Sequence, residues 1–469
     1  MKRIILLTLS LIGFTANAME SNPYPLHRAA KKGNLAAIEH LIEENYDVNT
    51  VNQQNQTALF IAADYDQPQA AALLLQHGAD ANIYSTGKHQ ITPLCLAVCE
   101  GNKEVARTLI DGGADINAIQ NCCCNFSPLA IAIGNKDPHC LALLLEKNAD
   151  IRIADQYGYM PIHLACSQGW TEGIQMLFDH DNSCLNDNIV QQVTDDCSLE
   201  QSPLQIAIDY MQPSAVRKLL ALGISANETD DNNETPLHKA ASICLDDSED
   251  PCKCGMCHTE DHKQAVTEII EILLAAGTDI NAQNHEGHTA VHVATISNSP
   301  FTVQLLAQHK ADLNIQDNNN NTALHLAALN NRLEVAKVLL ASGVQTDIPE
   351  EVTDIHCPVL MALENNFAEI TELIIAHVAR QRAVREMGPQ LRALLLSQHE
   401  RCGVDSPALG CLTPYLCQDM LNRRIAEISD ELGNLLSRQL QEIEEQRNTI
   451  DEINPHVFVG LNNLQHLNL

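Results

Sequence analysis

Aromatic residues make up 3% of the 469-residue chain, and Trp170 is its single tryptophan. With so few rings, Leu, Ile, Val and Ala must build the core, a composition of packed helices rather than of a large sandwich or barrel. Basic side chains are scarce too: 28 Lys and Arg stand against 60 Asp and Glu, a formal charge of −32. Nucleic-acid affinity grows with the phosphates that Lys and Arg neutralise, so this surface repels a phosphate backbone and nucleic acid is not an expected partner. Long hydrophobic runs are also missing, since no segment beyond the N-terminus approaches the ~18 apolar residues of a membrane-spanning helix. Nor is there a Gly-rich phosphate loop, a serine nucleophile elbow or a zinc-protease helix word, so no enzyme class is indicated.

The N-terminus is what these absences leave conspicuous. Lys2 and Arg3 precede an apolar stretch from Ile4 to Phe14, and Ala16-Asn17-Ala18 supplies small residues for cleavage. That order is the order of a secretory signal peptide. It predicts cleavage after Ala18 and an exported chain, periplasmic or secreted, with no membrane span after signal removal; an uncleaved tether is the alternative. Seventeen cysteines, an odd number, leave at least one unable to pair within a monomer.

The body of the chain is repetitive. "YPLHRAA" from Tyr24, "TALFIAA" from Thr57, "TPLCLAV" from Thr92, "SPLAIAI" from Ser127 and "MPIHLAC" from Met160 start 33, 35, 35 and 33 residues apart. "SPLQIAI" at Ser202, "TPLHKAA" at Thr235, "TAVHVAT" at Thr289, "TALHLAA" at Thr322 and a degraded "CPVLMAL" at Cys357 continue the series. A second apolar stripe at helical spacing follows each word, as in Val335, Val338, Leu339 and Leu340, and then a breaker such as Gly343. Each unit therefore reads helix, tight turn, helix, glycine. One helix pair cannot bury its apolar stripe alone, so neighbours must stack and share a core.

These words, the second-helix Leu-Leu and the "GADINA" connections recur in the order and period of the ankyrin repeat, which the chain closely resembles from Tyr24 to His377. The resemblance implies an all-α fold, an ankyrin-repeat solenoid of about ten helix-pair repeats with loops projecting at one edge, followed by a C-terminal helical extension. The domains expected are a signal peptide over 1–18, a solenoid over 19–380 and a helical segment over 381–469. Leu26, Leu59, Leu94, Leu129, Leu204, Leu237 and Leu324 are expected in the core. His27, His163, His238, His292 and His325 share one slot, which points to structural hydrogen bonding rather than catalysis. Gly78, Gly113, Gly223, Gly277 and Gly343 are expected to end helices in the left-handed conformation.

The period breaks twice, near 179–199 and near 242–264. The first break adds a polar loop containing Cys184 and Cys197. The second holds Cys252, Cys254, Cys257, His258 and His262, with Cys244 nearby, close enough to supply four tetrahedral zinc ligands. A structural zinc, disulfides and unliganded thiols all remain open, because C-x-C-x-x-C-x4-H matches no established finger spacing. Cys122, Cys123 and Cys124 fall at a loop tip. Past the repeats, "AVREMGPQLRALLLSQHERCG" reads as a helix interrupted near Gly388-Pro389. A second helix, Tyr415 to about Ile453, would either cap the array or form a dimerising coil.

An array of this kind offers an extended surface rather than a deep pocket. The expected function is protein–protein interaction by an exported scaffold, and the resemblance extends to effector-like binders of host proteins. No cofactor is required. Candidate contact residues at the loop tips are Lys88, His89, Gln156, Tyr157, Tyr159, Asn232, Asn233, His285, Glu286, Asn318 and Asn319. The competing readings are a structural envelope or periplasmic spacer, and a metal-dependent enzyme using the Cys/His insertion.

Overall fold

The computed structural model describes residues 24–85, 90–120, 125–194, 197–243, 260–346, 357–365, 367–402, 422–432 and 434. Every repeat word is a short helix, and most begin at a residue whose side chain, or that of the third helical residue, caps the end. Thr57, Thr92, Ser127 and Ser202 accept the N–H three residues on with their hydroxyls, at 3.1, 3.2, 3.2 and 3.3 Å. Pro93, Pro128, Pro161, Pro203 and Pro236 occupy the first helical position, where a missing N–H costs nothing.

Where histidine stands third in the helix it closes a capping box from the other side. Nδ1 of His238, His292 and His325 accepts the backbone N–H of Thr235, Thr289 and Thr322, each at 3.1 Å. In His27, His238 and His292 the opposite nitrogen, Nε2, donates forward to the carbonyl just before the next repeat, whereas Nε2 of His163, at the period break, is buried and makes no such bond. His27 reaches Gln56 at 2.8 Å, His238 reaches His288 at 2.9 Å and His292 reaches Asn321 at 3.2 Å. The shared histidine slot is therefore structural, and it requires the neutral ring with its proton on Nε2.

The described residues fall into two units. The first, up to Asp231 together with Gln264–Thr278, holds the helix pairs Pro25–Lys31/Leu35–Glu43, Ala58–Asp64/Pro68–Gln76, Pro93–Cys99/Lys103–Asp111, Pro128–Gly134/Pro138–Glu146, Pro161–Ser167/Thr171–His180 and Pro203–Asp209/Pro213–Ala221. First helices pack on first helices and second on second along the row. Leu26, Leu59, Leu94, Leu129 and Leu204 are at most 1% exposed, and alanines such as Ala62, Ala97, Ala132 and Ala207 let the helices close on one another.

The second unit holds Pro236–Ala241, the pairs Ala290–Ile296/Pro300–Gln308 and Ala323–Leu329/Leu333–Ala341, and Pro358–Glu364 followed by the 35-residue helix Ala368–Cys402. That last helix runs unbroken through Gly388-Pro389, against the expected interruption. Pro389 removes one helical hydrogen bond and crowds the carbonyl four residues back, yet the helix carries on through it. Ala379 and Ala383 pack with Ile428 and Leu432 of the helical segment 422–432, with Ile375, Val378 and Ile425 at the edge.

The insertion near 179–199 is more ordered than a polar loop. A 3-10 turn, Asn182–Asn186, leads into strands β1, Ile189–Thr194, and β2, Cys197–Gln201, paired antiparallel from Ile189 opposite Gln201 to Thr194 opposite Cys197. The β-branched Ile189, Val190, Val193 and Thr194 favour this pairing. The hairpin is an addition to a helical repeat array and leaves its plan unchanged.

Candidate protein-binding surface

Between one repeat and the next the chain forms a finger, and the residues of the "GADINA" word explain why each finger is fixed. In the first unit Asp47, Asp80, Asp115 and Asp150 each accept the N–H two residues on, at 2.8–2.9 Å. That turn aims the following asparagine at the neighbouring repeat. Oδ1 of Asn49, Asn82 and Asn117 accepts the N–H of Asp80, Asp115 and Asp150 at 2.8, 2.7 and 3.0 Å. Nδ2 of Asn49 and Asn82 donates to the carbonyls of Gly78 and Gly113 at 3.3 and 3.2 Å. A surface fastened in this way loses little conformational freedom when something docks on it.

Arg152 takes the asparagine slot where the period breaks. Its guanidinium meets Asp181 at 2.9 Å, Asp187 at 3.2 Å and the Ser183 hydroxyl at 2.7 Å, tying the insertion to the preceding finger. Hydrogen bonds from the Ser183 hydroxyl and N–H, with Arg152 behind them, hold the Asp181 carboxyl down at about 2.

Four residues beyond each aspartate lie Val51, Tyr84, Ile119 and Ala154, an apolar row along consecutive fingers. Tyr84 and Ile119 are 37% and 42% exposed, and the Tyr84 hydroxyl donates to the Ile119 carbonyl at 3.3 Å. On the next finger Tyr157 is 60% exposed. The Asp155 carboxylate shapes that finger by accepting the N–H groups of Tyr157 and Tyr159 at 2.8 and 2.9 Å. Burial raises the Asp155 pKa despite those two bonds.

Half-buried Tyr159 meets Tyr210, the residue that ends the helix Pro203–Asp209. Their rings lie edge to face with centroids 6.5 Å apart and hydroxyl oxygens at 3.4 Å. Burial, then the Tyr159 hydroxyl, then the charges of Asp209 and Asp155 push the Tyr210 phenol up.

Rings, amides and carboxylates at these tips suit docking. Burial pushes the thiols of Cys99, Cys140 and Cys184 up to about 12, so they stay protonated and poorly nucleophilic. Among the described residues no three His, Cys, Asp or Glu side chains are placed to hold a metal ion, and no helix is long and apolar enough to cross a membrane.

In the second unit the fingers are stitched tip to tip. Asn233 Nδ2 donates to the Gln283 carbonyl at 2.9 Å, the His285 N–H to the Asn232 carbonyl at 3.0 Å, and Asn318 Nδ2 to the His285 carbonyl at 2.8 Å. The Asn318 N–H also donates to the Glu286 carbonyl at 3.1 Å. Asn233 and Asn318 thus spend their side-chain amides on the scaffold, although Asn318, like Asn232, His285, Glu286 and Asn319, is exposed. Gln156 is exposed beside Tyr157. His262 lies half-buried on the helix Glu260–Ala275. Lys88, His89, Cys252, Cys254, Cys257 and His258 lie outside the described residues, as do Cys122–Cys124 and the signal segment. Tyr84, Ile119 and Tyr210 were not singled out in the sequence, although aligning finger positions across repeats would have shown the apolar row.

Part of the sequence is similar to known proteins. The chain is 29% identical over 160 residues to human B-cell lymphoma 3 protein, covering 33% of this chain and 29% of that one. It is also 29% identical over 157 residues to the rat nuclear factor NF-kappa-B p105 subunit, covering 33% and 14%. It therefore matches less than a third of either relative's length. A family model of ankyrin repeats, three copies to a match, fits residues 26–120, 118–188 and 261–350. With more than half of the sequence matched and the capped helix pairs and asparagine-linked fingers in place, the chain belongs to the ankyrin-repeat family.

Proposed function

We propose that the chain is an exported protein-interaction scaffold whose first-unit fingers dock a protein partner, in an effector-like role toward host proteins. One observation carries the reading: Tyr84, Ile119 and Tyr157 are 37%, 42% and 60% exposed on successive fingers that the Asn49, Asn82 and Asn117 amides lock in place. Exposed aromatics on a rigid frame are the usual source of binding hot spots, because they add large contact area at little entropic cost. The Lys2-Arg3 start, apolar stretch and Ala16-Asn17-Ala18 support export. Ankyrin repeats are interaction modules, which supports a binding rather than catalytic role.

Proximity labelling in the producing cell and its surroundings, compared between the native chain and a Tyr84→Ser/Tyr157→Ser variant, tests this. The reading expects a defined set of labelled proteins that the variant loses. Equal labelling by both chains would remove the surface assignment, and the absence of any specific partner would leave a structural spacer.

A further inference from the structure

Where the repeat period breaks, two separate elements meet in one pair of rings and a third reaches the carboxylate next to them. Tyr159 comes from a finger, Tyr210 from the end of a first helix, and Gln201 from the last position of β2. Two carboxylates flank the pair. Asp155 is fixed by the Tyr157 and Tyr159 N–H groups, and Asp209 Oδ2 accepts Gln201 Nε2 at 2.8 Å. We propose that Tyr159 and Tyr210, with Asp155 and Asp209 beside them, anchor a Lys or Arg side chain presented by an extended segment of the protein partner. The proposal rests on the docking role given above to the first-unit fingers and names the chemistry they select.

The choice of a cation follows from the groups present. Phenol faces carry negative quadrupole potential, and a guanidinium or ammonium over such a face gains most when carboxylates lie nearby. An anionic ligand is repelled by Asp155 and Asp209. An apolar side chain would bury their charge without compensation. Burial and the Asp209 and Asp155 charges together raise the Tyr210 phenol, as a negative local field should. Arginine fits best, since its flat guanidinium can stack on a ring and donate to a carboxylate at once.

The surroundings agree. A formal charge of −32 steers basic segments inward and opposes a second copy of the same chain. Exposed Tyr157 on the same finger, with the Tyr84 and Ile119 row beyond it, provides apolar contact for an extended backbone. The last residue of the insertion takes part, since Gln201 holds the Asp209 carboxylate.

The test is a selection of random displayed peptides on the full-length protein, repeated on Asp209→Asn and Tyr159→Ala variants whose folding is verified by circular dichroism. Asp209→Asn is close to isosteric and leaves the Asp155 finger intact. The native protein should enrich peptides sharing one Lys or Arg position. Replacing that position by Gln, or making Asp209→Asn, should each weaken a synthetic peptide about tenfold, with little further loss when combined. Enrichment without a basic position, a basic preference that survives in both variants, or no enrichment at all would overturn the proposal. A partner lost by Tyr84→Ser/Tyr157→Ser but indifferent to Asp209→Asn would defeat this inference alone. A partner lost by neither would defeat the docking surface as well.

Discussion

Asn82 Oδ1 accepts the backbone N–H of Asp115 at 2.7 Å while Nδ2 of the same amide donates to the Gly113 carbonyl at 3.2 Å. One side chain thus satisfies a donor and an acceptor at the helix end of the following repeat. Asn82→Ala should lower the unfolding free energy by about 1–3 kcal/mol, two net hydrogen bonds at ~0.5–1.5 kcal/mol each. Asn82→Asp retains the acceptor and should lose about half as much. Urea unfolding gives the magnitudes, and faster amide exchange at Asp115 would locate the loss. Unchanged exchange there would show that the amide is not what holds the fingers together.

The capping histidines make stability depend on pH. Burial pulls His163 and His292 down to about 4, with backbone contacts at Asp187 and Asn321 respectively acting the other way. A folded value below the unfolded ~6.5 means that the unfolded chain takes up the proton more readily. Their stabilisation is complete above pH 6.5, erodes as the pH falls toward 4 and stays lost below that. Each should contribute a loss of up to ~3 kcal/mol across this window. Gln205 supplies the control, since its Oε1 accepts the Ser202 N–H at 3.0 Å in the same slot without titrating. Unfolding followed from pH 7 to pH 4 should be less steep for His292→Gln than for the native chain.

How much was legible follows from what repeats. The Thr-Pro starts, the buried leucines and the histidine slot recur in register, so ten imperfect copies reinforce one another and the helix pairs could be read directly. Gly78, Gly113, Gly223, Gly277 and Gly343 all take positive φ at the helix ends, as their position suggested. The site was harder. Asn233 and Asn318 look like contact residues in a polar tip but are spent on neighbouring fingers, because linear spacing does not show that adjacent tips lie within hydrogen-bond reach. Tyr210 sits 51 residues from Tyr159, across an insertion whose conformation no repeat dictates. Hence Tyr159 was visible in the sequence and its partner was not.

The helix-ending slot also holds less suitable residues. Lys310 adopts φ 66°, where Gly343 one repeat later adopts φ 86°. A side chain in the left-handed region costs ~1–2 kcal/mol, part of which glycine returns through its freer unfolded chain. Lys310→Gly should therefore stabilise by about 0.5–1 kcal/mol. The reverse change, Gly343→Lys, should destabilise by a similar amount, and since no atom lies within 4 Å of the added Cβ the cost is backbone strain alone. Thermal melts of the two variants should move in opposite directions; parallel shifts would place the effect in the side chain.

Packing and charge compete to hold the helical segment 422–432. Arg424 contacts Glu386 at 3.1 Å, Glu427 at 3.1 Å and Glu431 at 3.4 Å, but its side chain is 30% exposed and that of Glu386 is 37% exposed. Pairs so open to solvent contribute ~0–1 kcal/mol. Ile428 is fully buried beside Ala379 and Ala383, and truncating a large core side chain costs ~2–5 kcal/mol because the small neighbours cannot fill the void. Ile428→Ala should release the segment to rapid amide exchange, whereas Arg424→Ala should leave it protected and merely remove the salt dependence of its stability. If Arg424→Ala proved the more damaging, the charge network rather than the alanine-lined face would be what positions this helix.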